Sequence, residues 1–310
     1  MKMLVDRRDM LKAALGGAAG LALPLAGGAW PAFAAGSDLA VKRLSDRIIM
    51  VTGAGANVVA ARTADGILMV DGGAAAHSDA LLELVARELG TDRFATLFNT
   101  HWHPEQTGSN VALKKAGAHI ISHANTKLWL STDITAPYET VTHQPLPKDA
   151  QGDEIFYTGL ERDFGGLAVK SGYMLQAHTD GDIYVHFPQD NILVTGGPVS
   201  NAGWPYMDWW TGGCIAGLAD GVKLLADLAD DKTVVVPANG ALMTKAELET
   251  QAAMYADLFT KLRTALYSAL SPAEAVAQEP AKDYVAAMGD PEQFLTLSFQ
   301  SMWGHFAPDA

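Results

Sequence analysis

Two histidines directly follow a predicted buried strand, and no other stretch of this chain constrains its fold as strongly. The apolar run 94–99 predicts the strand, and His101 and His103 come just after it, ahead of a predicted helix that begins near residue 110. Both imidazoles therefore lie in a turn at the carboxyl end of a strand. In layered α/β folds, binding sites collect at this end of the strands. Two polar loop histidines without a ligand are the alternative.

A third histidine lies in a similar turn in the second half of the chain. The segment Ala177-His178-Thr179-Asp180-Gly181-Asp182 separates two predicted strands. Together, His101, His103 and His178 supply the three neutral nitrogens of an open catalytic zinc site, whose fourth position holds water with a pKa lowered to about 7. For His178 alone, an ordinary hydrogen-bonded loop histidine is the alternative. The other six histidines lack such a pattern and are interpreted in that ordinary way.

The hydrophobic pattern predicts an α/β fold with two layers of strands. Three strands over 47–52, 57–63 and 67–71 form a meander, and strands then alternate with helices in both halves. Residues 133–165 are poorly periodic and predict a long loop with some short strand. Two mixed sheets flanked by helices satisfy this order. Residues 36–310 show no linker and are interpreted as a single domain, with a helical C-terminal extension from about residue 244.

The chain opens with an export signal. Arg7 and Arg8 precede an Ala/Gly/Leu-rich stretch over 13–30, and Ala32-Phe33-Ala34 fits a small-residue cleavage site. Residues 1–35 therefore predict a twin-arginine-type signal peptide and a periplasmic or secreted protein. An uncleaved membrane anchor is the alternative, although the apolar stretch is only marginally long enough to span a bilayer. After cleavage no stable membrane association is expected.

Charge and cysteine content exclude several classes of function. Cleavage would remove four basic and two acidic residues, so the net charge changes from −13 to about −15. Such a surface disfavours binding to nucleic acid, which leaves a small-molecule substrate as the expected partner. The single cysteine, Cys214, excludes an intrachain disulfide and a thiolate metal cluster, and it is interpreted as a buried structural thiol. The sequence carries no signal of an oligomeric state.

Five short motifs together resemble those of one protein family. They are Val70-Asp71-Gly72-Gly73, His101-x-His103-x-Glu105-Gln106, Ala177-His178-Thr179-Asp180-Gly181-Asp182, Thr195-Gly196-Gly197 and Pro237-Ala238-Asn239-Gly240. With these motifs the chain is similar to the metallo-β-lactamase superfamily over about residues 40–250, and most of all to its exported, glyoxalase-II-like hydrolases. That resemblance implies an αββα sandwich with its site at one edge, one or two zinc ions, and hydrolysis of esters, thioesters, lactones or β-lactams.

The resemblance also exposes four departures around the expected second metal. His101, His103 and His178 match the three histidines of the family's first metal. The second site is degenerate, because amide oxygens are poor zinc donors compared with imidazole or carboxylate. The departures are Glu105 for an aspartate, Gln106 for a histidine, Gly197 for the metal-bridging aspartate and Asn239 for the last histidine.

Glu105 is the candidate catalytic residue. Its side chain is one methylene longer than aspartate, so it could reach the water at the first metal and act as general base. A loop-fixing role through hydrogen bonds is the alternative. Gln106 and Asn239 are candidates for binding substrate or a developing oxyanion. Asp71 is expected to brace the ligand turn, as the matching residue does in the family.

An aromatic segment follows the Gly197 position. Trp204, Tyr206, Trp209 and Trp210 lie within seven residues, and Trp204 and Trp209 are candidates for the wall of an apolar substrate pocket. Packing against the apolar C-terminal segment is the alternative.

Together these features predict a hydrolase with one three-histidine zinc site, acting on a small ester, thioester or lactone-like substrate. The alternative is a catalytically silent relative that binds a small ligand or a metal in the same cleft. An ordinary two-zinc β-lactamase is disfavoured by the missing ligands.

Export should depend on the paired arginines. Changing Arg7 and Arg8 together to lysine is expected to leave the precursor in the cytoplasm, because the twin-arginine signal loses its defining pair. Cell fractionation and the size of the protein on a gel measure this, with Lys2→Arg and Lys12→Arg as controls that keep the pair. Unchanged export of the double variant would indicate the general secretory route.

Overall fold

The computed structural model describes residues 38–306, with side chains described as far as Trp303. The predicted signal peptide, including Arg7 and Arg8, lies outside these residues, so that prediction is not addressed by the structure. Within 38–306, no helix combines the length and the apolar character needed to cross a membrane.

The first half of the chain forms a mixed seven-stranded sheet in the order β1 to β7. The first four strands make an antiparallel meander, and the last three continue it in parallel pairing. Helices connect β4, β5 and β6, as parallel pairing requires. The strands are β1 (Ala40–Arg43), β2 (Ile48–Thr52), β3 (Val58–Thr63), β4 (Gly66–Val70), β5 (Phe94–Asn99), β6 (His119–His123) and β7 (Glu154–Phe156).

The second half forms a five-stranded sheet in the order β12-β11-β10-β9-β8. Strands β8 to β11 pair antiparallel, and β12 joins β11 in parallel after a helical crossover. The strands are β8 (Gly159–Phe164), β9 (Leu167–Tyr173), β10 (Ile183–Phe187), β11 (Ile192–Asn201) and β12 (Val234–Gly240).

Nine α-helices of the described chain connect or flank these sheets. Capping signals in the sequence mark one end of two longer helices. The first helix ends at Gly90, in the left-handed region with φ 67°, and the sixth begins with a capping box between Thr244 and Glu247. The helices are α1 (Ser78–Leu89), α2 (Pro104–Thr107), α3 (Asn110–Lys115), α4 (Ala124–Leu130), α5 (Ile215–Leu228), α6 (Lys245–Tyr267), α7 (Pro272–Ala277), α8 (Val285–Met288) and α9 (Glu292–Phe306).

Three apolar layers hold the elements together. The central layer lies between the two sheets and includes Phe98 from β5 and Val185 from β10. A second layer fills the space between the seven-stranded sheet and α1, and a third lies between the five-stranded sheet and α5, α6 and α9. The result is two mixed sheets flanked by helices, as the sequence predicted.

The largest departure from the sequence prediction lies in residues 133–165. The region predicted as mostly loop contains β7 and the six-residue edge strand β8. Most β8 side chains are exposed, so the strand buries too little apolar surface to produce a periodic signal, and its pairing with β9 holds it in the sheet. Cys214 is buried at the start of α5, in agreement with a structural thiol.

Candidate metal centre

The three predicted ligands come together at the edge where the two sheets meet. His101 follows β5, His103 precedes α2, and His178 lies in the turn between β9 and β10. The backbone N–H of Ile183, the first residue of β10, donates to the carbonyl of Thr100 over 2.9 Å and joins these turns. The ring centroids are 4.4 to 5.1 Å apart, and one ligand nitrogen from each ring lies within 4.8 Å of the others. Each residue is at most 2 % exposed.

Asp71 orients His101 through Thr100. Asp71 ends the turn after β4 with φ 62°, and its carboxylate accepts bonds from the Thr100 backbone N–H at 2.8 Å and from its hydroxyl at 2.7 Å. The same hydroxyl oxygen lies 3.0 Å from His101 Nδ1. Because the Thr100 hydroxyl donates its hydrogen to Asp71, its oxygen can accept from His101 Nδ1–H, which leaves Nε2 for a metal. This is the bracing role expected for Asp71.

Asp182 lies behind His178. Its Oδ2 accepts from the backbone N–H groups of His178 and Thr179 at 2.7 and 2.8 Å, and its Oδ1 accepts from the Thr179 hydroxyl at 3.0 Å. His178 Nδ1 lies 2.7 Å from Asp182 Oδ1, although the ring is turned out of line for a hydrogen bond. A proton on Nδ1 would face Asp182 and would leave Nε2 as the metal-binding nitrogen.

Asp208 contacts His103, and its Oδ2 lies 3.2 Å from His103 Nε2. The sequence analysis missed this residue, because it lies inside the aromatic segment and carries no metal-ligand spacing. It is 2 % exposed, and the hydroxyl of Tyr138 and both the N–H and hydroxyl of Thr211 donate to it. The available sequence signal for Asp208 was an acidic residue inside an aromatic segment, because a carboxylate that is buried among aromatic rings requires hydrogen-bond partners.

The electrostatics of the cluster fit a bound cation. Burial lowers the pKa of His101 and of His103 well below the usual histidine value, so both rings are neutral donors. Burial also raises the pKa of Asp208, and it raises the pKa of Asp71 to about 7. A cation among the three rings would offset the cost of these buried carboxylates.

An orphan acceptor also lies at the cluster. The carboxamide of Gln106 lies beside His101, and its buried Oε1 makes no hydrogen bond of normal geometry within 38–306. Buried amide oxygens normally have a donor or a ligand. With three imidazoles and this oxygen, the residues present fit a metal ion. In the described chain, no other group of three histidine, cysteine or acidic side chains is similarly arranged.

Glu105 lies next to the cluster on its more open side. Its Oε1 is 3.9 Å from His103 Nδ1, and its side chain is 19 % exposed. Burial, aided by the charges of Asp71 and Glu139, raises the pKa of the Glu105 carboxyl to about 8. A cation bound to the histidines would lower the pKa of Glu105 and so favour its carboxylate form.

Gly197, the position at which the resemblance implies a metal-bridging aspartate, lies directly beneath His178. A Cβ placed on Gly197 would lie 2.0 Å from both Cε1 and Nε2 of that ring. Such a distance is far below van der Waals contact, so the imidazole of His178 occupies the space that any side chain at this position would need.

Asn239 lies apart from the histidines, at the end of β12. It lines a cavity of about 540 Å³ together with Lys42, Gly55 and Asn57, and none of the three histidines lines this cavity. The Asn57 side chain donates to the carbonyls of Pro237 and Gly240, which fixes the β12 end against the β2–β3 turn. A Cβ on Gly55 would be 3.5 Å from that of Glu105, so Glu105 lies between the cavity and the cluster.

The two candidate tryptophans both have partners in the C-terminal segment. Trp204 stacks on Phe294 with centroids 4.8 Å apart, and Trp209 Nε1 donates to the Gln300 side chain over 3.2 Å. These contacts are the ones that the packing alternative required. In the same segment, Tyr206 points toward the histidines, with its ring 5.9 Å from that of His103.

Substitution of Gly197 should disturb the metal centre without a change in any ligand. Gly197→Ala is expected to weaken metal binding at least tenfold, because the new methyl group displaces the His178 ring. Competition with a chromogenic chelator measures the affinity. Gly221→Ala in α5 is the control for a buried glycine without a positive φ, because a Cβ there would meet its nearest neighbours at 3.4 Å. Equal affinities of the wild type and Gly197→Ala would contradict the described packing.

Comparisons with known proteins identify the family. The sequence profile of the metallo-beta-lactamase superfamily matches residues 51–271, which is more than half of the chain. A search of curated proteins gave no match.

Solved structures agree on the fold. The chain is similar to a metallo-beta-lactamase from Pontibacter korlensis, with TM-score 0.58, 18 % identity and coverage of 71 % of this chain and 100 % of that one. The chain is also similar to a metallo beta lactamase from Hirschia baltica, with TM-score 0.56, 15 % identity and coverage of 71 % of this chain and 98 % of that one. A third similar structure is the stereoselective inverting sec-alkylsulfatase from a Pseudomonas species, with TM-score 0.63, 11 % identity and coverage of 88 % of this chain and 51 % of that one. At these identities the similarity concerns the fold alone. With a profile that spans most of its length, a matching fold and a buried three-histidine cluster, the chain belongs to the metallo-beta-lactamase superfamily.

Proposed function

We propose that this protein is a hydrolase that uses one zinc ion held by His101, His103 and His178. The observation that carries the proposal is the convergence of three buried imidazoles, with a buried aspartate behind each of them. Three neutral histidines with an open fourth position are a typical catalytic zinc set. The protein-side requirements of such a site are therefore present in the chain.

A single ion is proposed because the positions of a second site lack strong donors. Gln106 and Asn239 offer only amide oxygens, and Asn239 lines a cavity that excludes the histidines. Gly197 offers no side chain, and the ring of His178 fills the space where one would begin. The degenerate second site is therefore supported by packing as well as by residue type.

Zinc at the three histidines would supply Lewis acidity and a water of lowered pKa. Glu105 is the candidate to accept the proton of that water at its carboxylate oxygen. Its Oε1 lies 3.9 Å from His103 Nδ1, and its side chain is partly exposed. The alternative, a loop-fixing role, has less support, because the hydrogen bond to the Glu105 carboxylate comes from its own backbone N–H.

The 540 Å³ cavity is the proposed substrate site, and its size suits a small molecule. Asn239 and Asn57 place polar groups on its wall, whereas Met50 and Leu242 are apolar. We expect a small ester, thioester or lactone there. The similarity to a sec-alkylsulfatase adds a secondary alkyl sulfate to the classes that should be tested.

Two further elements of the proposal rest on sequence alone. The segment His178-Thr179-Asp180-Gly181-Asp182 supports the glyoxalase-II-like branch, and the pattern in residues 1–35 supports export to the periplasm. The negative charge of the chain supports a small-molecule partner over nucleic acid.

One observation favours the second candidate, a silent relative that binds a ligand or a metal. The three histidines are at most 2 % exposed, and none of them lines the 540 Å³ cavity. A hydrolase requires a path for substrate to the metal, whereas a structural metal does not. Activity assays distinguish the two candidates.

The role of Glu105 gives the sharpest test of hydrolysis. Glu105→Gln is expected to retain zinc and to lose about 100- to 10,000-fold in rate, since an amide cannot take the proton of the water. Initial rates should be measured on a panel of esters, thioesters, lactones, β-lactams and a secondary alkyl sulfate, with His103→Ala as the blank.

Glu139→Gln is the matched control for loss of a nearby carboxylate. Glu139 accepts a hydrogen bond from the Tyr206 hydroxyl and lies 3.1 Å from His143 Nε2. Because these contacts give Glu139 a structural role, Glu139→Gln should lower the rate far less than Glu105→Gln. A wild-type rate no higher than that of the blank on every substrate would favour the binding role. Equal rates for the wild type and Glu105→Gln would refute the assignment of Glu105 as general base.

A further inference from the structure

We propose that Lys42 binds an anionic group of the substrate. The cavity beside this lysine would then select a small monoanion, a carboxylate or a sulfate, with a short apolar body. The inference deepens the proposed function and rests on one part of it, the assignment of the 540 Å³ cavity as the substrate site. It does not require that the bound molecule be hydrolysed.

The side chain of Lys42 lies on the inner face of the seven-stranded sheet. Lys42 is directly opposite Met50 in the antiparallel pair of β1 and β2, and opposite residues share a face of the sheet. Met50 belongs to the apolar layer between the two sheets. The next residue, Arg43, is opposite Ile49, which belongs to the layer against α1. Strand β1 therefore presents Lys42 to the space between the sheets and Arg43 to the other side.

The cavity lies where the edge strands of the two sheets separate. Strand β1 is at the edge of the first sheet, and β12 is at the edge of the second. The cavity is lined by residues of β1 and β2, by the turn 53–57 and by residues 239–242 at the end of β12. Lys42 is exposed and its neighbour Met50 is buried, so the lysine is on the solvent side of the cavity.

Lys42 is the single charged residue among the eleven that line this cavity. Within residues 38–306, its ammonium group has no hydrogen bond or ion pair to another residue. An ammonium group beside a neutral, partly apolar wall attracts an anion more strongly than one in bulk water, because less solvent screens it. The chain as a whole has a net charge of −13, which disfavours polyanions and leaves a monoanion as the matching ligand.

The rest of the wall defines the body of that ligand. Met50 and Leu242 supply apolar surface. The Asn57 amide nitrogen already donates to the carbonyls of Pro237 and Gly240, so the lysine is the strongest donor that the cavity offers. A cavity of this volume with one cation and an apolar wall fits a molecule that carries one negative charge and a short alkyl or aryl group.

The direction of the cavity places the anion away from Glu105. Along β2, Met50 lies opposite Lys42, and the chain then passes Thr52 and enters the turn that contains Gly55. A Cβ on Gly55 would be 3.5 Å from that of Glu105. A ligand whose anion contacts Lys42 therefore extends its other end toward Glu105. The negative charge of a Glu105 carboxylate disfavours the reverse orientation.

Protection of the sheet edge is the alternative role of Lys42. An inward-pointing lysine on an edge strand also prevents pairing with a second chain. That role requires the positive charge but no ligand. Loss of Lys42 would then promote self-association and leave binding in the cavity unchanged.

Binding of hexanoate to the zinc-loaded protein tests the proposal. In protein labelled with ¹³C at the methionine methyl groups, the Met50 signal, assigned with Met50→Leu, reports binding in the cavity. Hexanoate should shift this signal, and Lys42→Met should raise its dissociation constant about five- to tenfold, because a charge-assisted contact is lost. Any contact of hexanoate with zinc is common to both proteins and cancels in the comparison.

A neutral ligand of the same shape separates the charge from the apolar contacts. Hexanamide should bind the wild type and Lys42→Met with dissociation constants that differ less than about twofold, since an exposed ammonium contributes little to a neutral ligand. Added salt should weaken the binding of hexanoate and leave that of hexanamide unchanged.

Arg43→Met is the matched control, because it removes one positive charge from the neighbouring residue on the other face of β1. It should change the dissociation constant of hexanoate less than about twofold, since charges on the far face are screened by solvent. Lys42→Arg keeps the charge and should keep most of the affinity. Thermal unfolding and sedimentation should show that each variant is folded and whether it self-associates.

Unchanged hexanoate affinity in Lys42→Met, with the Met50 signal still shifted, would overturn the inference and leave the cavity as the substrate site. Equal weakening by Arg43→Met and Lys42→Met would also overturn it, because the effect would then be one of net charge. If neither hexanoate nor hexanamide shifts the Met50 signal, the assignment of the cavity is wrong and the inference is overturned with it. Failure to find a hydrolysed substrate would count against the proposed hydrolysis alone, because the binding measurement requires no turnover.

Discussion

The structure depends on the interaction between three buried imidazoles and the buried carboxylates of Asp71, Asp182 and Asp208 behind them. Buried carboxylates are costly unless they are hydrogen-bonded and paired with positive charge. In this protein the hydrogen bonds come from Thr100, Thr179 and neighbouring groups, but the described residues place no lysine or arginine on these aspartates. A metal ion at the histidines is the charge that this arrangement fits. Folding and metal binding are therefore expected to support each other.

The αββα arrangement explains why the residues of the site come from such distant parts of the sequence. The turn after β5 supplies His101 and His103, whereas the turn after β9 supplies His178, and a backbone hydrogen bond from Ile183 to Thr100 joins the two sheets at this point. The loop that carries Tyr138 and the segment that carries Asp208 then close the side behind His103. The apolar layer between the sheets holds these turns in a constant relation.

The sequence predicted what is encoded locally. The strand before His101 follows from a short-range pattern, and the structure confirms it. The glycine that ends α1 and the capping box that begins α6 are also local signals in the sequence. The convergence of the three histidines was predicted because turns at strand ends and motif order both indicated it. By contrast, β8 is held by pairing with β9 and has no burial pattern of its own.

Contacts between residues that are distant in the sequence could not be predicted from sequence patterns. The aromatic segment could be interpreted as a pocket wall or as packing, and only the placement of α9 brings Trp204 onto Phe294. The link from Asp208 to His103 spans 105 positions, and the packing of His178 on Gly197 depends on a ring orientation that no spacing rule describes. Gly197 was identified as a missing ligand, but its steric role required the coordinates.

The number of metal ions per chain tests the central claim most directly. Protein purified without added metal should be measured by elemental analysis and by native mass spectrometry, before and after equilibration with excess zinc. The account predicts one tightly held zinc per chain in both conditions, lost when His101 or His178 is changed to alanine. Two tightly held ions, with Glu105 and Gln106 among the ligands of the second, would contradict it.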